Sequence, residues 1–237
     1  LSITDVCNVK CNDRLPDRLP DRLPDRLPES YACDVERDFL VLSEIKTLIN
    51  GFASLVTSNT CITGGEPSPR KDLSDIIKAC LFASGIKHVA MTSNGNKLEA
   101  DIQKWVDAGL DSLNISVDSP DPQIFSTITG HNRPEIILHS IDKALALGVK
   151  VKINAVSMKQ YNVQELQHFL TCLKATPVTL RLIELMQTGD NVRFFEQNYA
   201  SGMPIKGQLL ENGWNQLIRD NASRLTQEFL HPDYQGR

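Results

Sequence analysis

"KHVAMTSNGNKLEADIQKWVDAGLDSLNISVDS", residues 87–119, is the stretch on which the fold turns. A β-rich run, 87–93, gives way to a helical run, 97–109, and then to a second β-rich run, 112–118. The helical run stops at Gly109. Glycine is common just past a helix end, because it adopts the left-handed backbone without a Cβ penalty. A β-α-β unit of this kind means two parallel strands with a helix crossing between them.

The alternation continues in both directions. Strand-like 58–63 and helical 72–83 precede it; helical 134–148, strand-like 151–157, helical 163–175 and strand-like 178–185 follow. With strand-like 1–4 and a helix over 43–55, the chain holds six βα-type units. Such a series gives a parallel sheet with helices outside and right-handed crossovers. It fits an α/β fold, a partial, open (β/α)6 TIM-like barrel over residues 1–186. A doubly wound Rossmann sheet is the alternative. In either, ligands bind at the C-terminal ends of the strands. Residues 28–38 and 187–205 read as irregular connections. Residues 187–237 read as the start of a truncated C-terminal region.

The chain has 237 residues, 41% hydrophobic and 23% charged, with a net charge of −4. These values suit a large globular domain. There is no basic excess to attract nucleic acid, and no apolar run of the roughly 20 residues that cross a bilayer. The start, "LSITDVCNVKCND", lacks the layout of a signal peptide, so the expected compartment is the cytoplasm. Of six cysteines, Cys80 and Cys172 sit in apolar helical patterns and read as buried hydrophobes. Cys7 and Cys11 lie together in a polar loop at the end of the first strand. A C-x3-C pair completed by a third cysteine three residues on would hold three irons of a [4Fe–4S] cluster and leave one open. Position 14 is Arg.

Other strand ends carry polar groups. "ITGGEP", 62–67, follows the second strand: Gly64 and Gly65 let a ligand approach the backbone, and Glu66 offers a carboxylate to an ammonium. "TSNG" follows the third. Strand alternation puts Asn114, Ser116 and Asp118 on one face, and Lys150, Lys152 and Asn154 on another. In the sixth strand Arg181, Ile183 and Leu185 alternate with Leu182, Glu184 and Met186. Polar groups inside a barrel are costly unless they bind something, so they suggest a ligand-filled interior.

"SITDVCNVKC", "ITGGEPSPRKDL", "TSNG", "AGLDSLNISVDS", "ITGH", "VKINAV", "LRLIELMQTGD", "SGMPI" and "HPDYQG", in this order, resemble the MoaA family of radical S-adenosylmethionine enzymes. These are the GTP 3',8-cyclases of molybdenum-cofactor biosynthesis. The resemblance implies a [4Fe–4S] cluster, S-adenosylmethionine as cofactor and GTP as substrate. It implies a 5'-deoxyadenosyl radical that abstracts the ribose 3' hydrogen of GTP, after which C3' bonds to C8. It implies Cys7 and Cys11 as cluster ligands, with Cys33 as a candidate third. Gly64, Gly65, Glu66, Ser116 and Met186 would contact S-adenosylmethionine; Thr92 and Lys152 would contact GTP, with Arg181 a further candidate and Glu184 as support. An electron donor and a homodimer complete the expected partners, without nucleic acid or membrane.

The chain also departs from the family. Asp13 and Arg14 stand where an aromatic residue and the third cysteine belong, and Asp-Arg-Leu-Pro runs four times over 13–28. A proline every fourth residue cannot continue a helix, so this insertion reads as an extended solvated loop. Cys61 stands where the family has Arg, and the second-cluster cysteines would lie beyond Arg237. These departures keep a second reading open: a degenerate relative or fragment that retains the barrel and binds nucleotide without catalysis.

Overall fold

The computed structural model describes residues 1–4, 7–8, 11, 39–131, 134–187, 191–218 and 226–237. Cys33, Arg14 and the repeat over 13–28 lie outside the described residues. The elements run α1 (Leu42–Ser54), β1 (Asn59–Ile62), α2 (Leu73–Phe82), β2 (His88–Ser93), α3 (Leu98–Asp107), β3 (Ser112–Ser116), α4 (Pro122–Thr129), α5 (Pro134–Ala146), β4 (Lys150–Ser157), α6 (Leu166–Ala175), β5 (Thr179–Glu184), α7 (Val192–Asn198), α8 (Met203–Glu211), β6 (Asn215–Leu217) and β7 (Glu228–Leu230).

β1 to β5 form one parallel sheet in the order in which they occur along the chain. A doubly wound sheet reverses its order at a switch point; this one does not, so the Rossmann alternative is excluded. Sequential right-handed crossovers place the helices on one face and leave the other concave. The helix-facing residues are buried: Val89 and Met91 on β2, Leu113 and Ile115 on β3, Val151 and Ile153 on β4. They pack against Ile76 and Ile77 of α2, Ile102 and Trp105 of α3, and Ile141 of α5 in one continuous core. Each such side chain contributes about 2 kcal/mol on burial.

Three expectations need correction. Residues 1–4 do not form a full strand: Ser2 and Thr63 make an isolated parallel bridge, with Ile3 N–H donating to Thr63 O at 2.9 Å. The expected first strand is thus reduced to one bridge at the β1 edge. α4, not anticipated, begins at Asp121, whose Oδ1 accepts from the N–H groups of Gln123 and Ile124 at 2.8 and 3.0 Å. Pro122 sits at its first turn, where its missing N–H costs nothing, and Gly130 closes it in the left-handed conformation at φ 75°. Residues 187–205 hold α7 and the start of α8 rather than an irregular connection.

The C-terminal stretch is built into the fold. β6 and β7 pair antiparallel, and Trp214 packs beneath His231 and Tyr234 at ring distances of 5.4 and 4.8 Å. Beyond them Gly236 passes so close to α6 and β5 that a Cβ would meet Leu173 Cδ2 and Val178 O at 2.8 Å. Arg237 then pairs with the free edge of β5: its N–H donates to Val178 O at 3.0 Å and its carbonyl accepts from Leu180 at 2.6 Å. The shared residue between neighbouring acceptor and donor is the pattern of a parallel bridge.

Candidate active site

Three loops meet at the C-terminal ends of β1 and β2. Gly64, at φ 155°, has its Cα against the N-terminal segment; a Cβ there would collide with the Thr4 carbonyl oxygen. Gly65 N–H donates to that carbonyl at 2.8 Å. The Gly-Gly pair therefore lets segment 1–4 dock on the turn, a use of glycine that the motif alone did not reveal.

Glu66 is buried, and its carboxylate accepts from Ser68 N–H at 3.0 Å, Ser93 Oγ at 2.9 Å and Asn94 N–H at 2.6 Å. It is turned into the protein rather than held out to a ligand ammonium. What Glu66 does here is join the end of β1 to the end of β2. Asn94 passes the connection on: its Nδ2 donates to Asn8 Oδ1 at 2.8 Å. Asn8 follows Cys7 in the sequence, so this bond ties that position to the end of β2. Cys7 is exposed and Cys11 half-buried.

Arg70 supplies the anchor that the sequence reading passed over. Its guanidinium donates from Nη1 to Ile3 O at 2.7 Å, from both terminal nitrogens to Leu40 O at 3.1 Å, and to the Asp72 carboxylate at 2.8 and 2.7 Å. A planar fork with five donors can hold two backbone segments and a carboxylate at once. The Arg70 guanidinium holds the Asp72 carboxyl below its ordinary value of 3.8. Only the fourth residue past Glu66, a cation in a loop between strand and helix, could have signalled this.

On the concave face, register stacks the polar side chains in layers. Thr92, Asn114, Lys152 and Thr179 are aligned partners across β2 to β5. Asn114 Nδ2 donates to Thr92 Oγ1 at 3.2 Å and lies 3.8 Å from Cys61 Sγ, which is 3.6 Å from Thr92 Oγ1. One layer nearer the C-terminal ends stand Ser116, Asn154 and Arg181. The expected polar face is thus assembled, with Asp118 as the exception. Asp118 is buried, and its Oδ1 accepts from Val156 N–H at 2.8 Å. Asn162 closes the same junction, donating to Asp118 O and Val156 O and accepting from Met158 N–H.

Met186 is largely exposed beyond β5, at the same end as Ser116 and Gly65. Glu184 lies on the opposite face of β5 from Arg181 and accepts from Tyr199 Oη at 3.0 Å and Gly202 N–H at 2.7 Å. It fixes the α7–α8 connection. Burial, then the charges of Arg181 and Arg237, push the Lys152 ammonium below its ordinary value of 10.5. That is the mark of a partly desolvated cation among other cations, a setting that an anion relieves.

The concave face has a further opening for a ligand: Asn154 Oδ1 is buried without a hydrogen-bond partner among the described residues. A buried acceptor costs free energy until a donor meets it, so this atom fits a ligand hydroxyl or amine. The thiol set is less complete. Cys80 is pushed by burial to about 11 and Cys172 is raised by burial too, so neither is poised as a thiolate. Among the described residues, Cys7, Cys11 and Cys61 are the other free thiols, and Cys61 lies on β1. No group of three or more His, Cys, Asp or Glu side chains among the described residues could hold a metal ion. The described residues alone do not complete a three-thiolate donor set.

Comparison with known proteins gives concordant results. The family described as the Radical SAM superfamily matches residues 33–173. The chain is 45% identical over 239 aligned residues to a GTP 3',8-cyclase of Vibrio vulnificus (strain YJ016), and 43% identical over 238 to one of Tolumonas auensis. Both alignments take in 100% of this chain, and 68% and 67% of those relatives. Among solved structures, Streptococcus suis SuiB bound to S-adenosylmethionine superposes with a TM-score of 0.66 at 15% identity, covering 90% of this chain and 47% of that one. TYW1 with a lysine-pyruvate adduct gives 0.61 at 17% identity, over 100% and 79% of the two chains. At that identity they show the shared fold.

Proposed function

Because this chain belongs to the radical SAM superfamily and, within it, to the GTP 3',8-cyclases of molybdenum-cofactor biosynthesis, we propose that its concave sheet face holds GTP beneath a cofactor site at the C-terminal strand ends. The observation that carries this reading is the layer Thr92, Asn114, Lys152 and Thr179, with Arg181 one step above it. Neutral hydrogen-bonding groups occupy its β2–β3 side and cations its β4–β5 side. A nucleoside triphosphate is asymmetric in the same sense.

The family's [4Fe–4S] cluster and S-adenosylmethionine, when bound, supply the one-electron chemistry that opens the ribose C3'–H bond. This chain's residues position the partners. Cys7 and Cys11 would be two of the cluster's thiolate ligands, and Cys33 is a candidate third. Gly65 and Ser116 line the rim with Met186, while Glu66 and Asn94 hold that rim in place. Thr92 and Lys152 meet GTP below, and Arg181 reaches the boundary between the two ligands. Enclosure by the barrel keeps a reactive intermediate from water.

The reading also takes in an electron donor and a second copy of the chain as partners. It assigns residues 1–186 to the barrel and 187–237 to a C-terminal region. No helix among the described residues is long and apolar enough to cross a membrane.

The test is equilibrium binding of GTP to the whole protein under anaerobic conditions. Thr92→Ala and Lys152→Gln should each weaken GTP by about tenfold, the scale of one hydrogen bond to a charged group. GTP binding unchanged in both variants would remove the concave face as the substrate site.

A further inference from the structure

We infer that Arg237, docked on the free edge of β5, is a further substrate-binding residue that contacts the terminal phosphates of the nucleotide. The inference rests on the reading of the concave face as the nucleotide site.

The backbone pairing with Val178 and Leu180 fixes where the side chain starts. From there Arg237 Nε donates to Thr179 Oγ1 at 3.1 Å. Thr179 is the aligned partner of Lys152 and points to the same face. Arg237 therefore extends the layer Thr92, Asn114, Lys152 and Thr179 by one position, and sets a guanidinium at its cationic end.

The charges at that end do not balance. Lys152, Arg181 and Arg237 contribute three cations. Their ion pairing among the described residues is one contact, Arg237 Nη1 to Glu228 Oε1 at 2.9 Å. Arg181 and Arg237 both depress the Lys152 ammonium, while Glu228 and Cys61 favour its charge, so these groups share one field. Arg237 is itself 44% exposed on its side chain, and Glu228 engages Nη1 while Thr179 engages Nε. The fork of a guanidinium keeps further donors for a phosphate oxygen when two of its nitrogens are already held. Its rigidity would aim them along the layer toward Lys152. An anion with several charges, rather than a single carboxylate, suits three cations set along neighbouring strand positions.

On this account Arg237 reads the length of the phosphate chain, and the experiment compares GTP with GMP. Binding of both, and of inorganic tripolyphosphate, is measured on the whole protein for the wild type, Arg237→Gln, Arg237→Lys and Lys152→Gln. Arg237→Gln should weaken GTP and tripolyphosphate by about tenfold and change GMP by less than about twofold. Arg237→Lys should recover part of the GTP loss. If Arg237→Gln binds GTP like the wild type while Lys152→Gln does not, the inference fails and the nucleotide site stands. If Arg237→Gln weakens GTP and GMP alike, the side chain acts through the hairpin and the inference also fails. If neither variant changes GTP binding, the site reading falls with it.

Discussion

At Glu66 a carboxylate sits in a family motif, yet its oxygens are engaged by three donors of the protein itself. Glu66→Ala would strand two N–H groups and a hydroxyl and cost about 2 kcal/mol of stability, measurable as a lowered urea midpoint. The motif was legible in the sequence. The direction of the side chain was not, because a loop has no period from which to read it. The concave face was legible for the opposite reason: strand alternation groups Asn114 with Ser116 and Lys152 with Asn154, and register sets them on one face, with Arg181 added by the structure and Asp118 turned away. Lys152 yields a pH prediction. Its folded value lies below 10.5, so between that lowered value and 10.5 the unfolded chain binds more protons than the folded one. Stability contributed by this group therefore rises with pH across that interval. Lys152→Met should abolish the rise, and denaturant melts of both proteins through the alkaline range would show it.

At the scale of elements, helices and strands with strong periodicity were found within a few residues of where the sequence placed them. α4 was missed because Ser-Pro-Asp-Pro, 119–122, reads as a turn until Asp121 is recognised as a helix cap with proline behind it. The stretch 187–205 was misread because the short α7 is too brief to display a period. Segment 1–4 was expected to pair as a strand; it makes one parallel bridge, at Ser2 and Thr63, and is held besides by the Gly64–Gly65 turn and by Arg70. Arg70→Ala should release it. We expect a loss of about 2 kcal/mol and faster amide exchange at Ile3 and Thr63, which bond across that bridge. The same variant carries a sign. Asp72 is held below 3.8, so its contribution is present above that value and disappears as pH falls through the lowered one. In Arg70→Ala this acid-side loss should shrink. Equal acid sensitivity in both proteins would count against the pairing.

At the scale of the molecule, a sequential parallel sheet has one concave face and one end at which loops gather, so ligands have a single place to meet. Both were legible as soon as the β-α alternation was read. What the alternation could not disclose is the return of the tail to the edge of β5, since that contact joins positions far apart in sequence and depends on the close fit of Gly236. The cysteine loop is the other matter of whole-chain consequence. To hold the proposed cluster, Cys7 and Cys11 would need a third thiolate, and Cys33 follows the repeat. After anaerobic reconstitution of the whole protein, Cys33→Ala should lower bound iron and sulfide by roughly the content of one [4Fe–4S] cluster; unchanged iron would exclude Cys33.

The central claim, that this barrel aligns GTP with a radical source at the strand ends, is tested by following one atom. Whole, reconstituted protein is incubated with 3'-deuterated GTP, S-adenosylmethionine and a reductant, and 5'-deoxyadenosine is recovered for mass analysis. The account predicts deuterium in that 5'-deoxyadenosine, and much less product with Lys152→Gln. Recovery of 5'-deoxyadenosine without deuterium, or none formed in the presence of GTP, would contradict it.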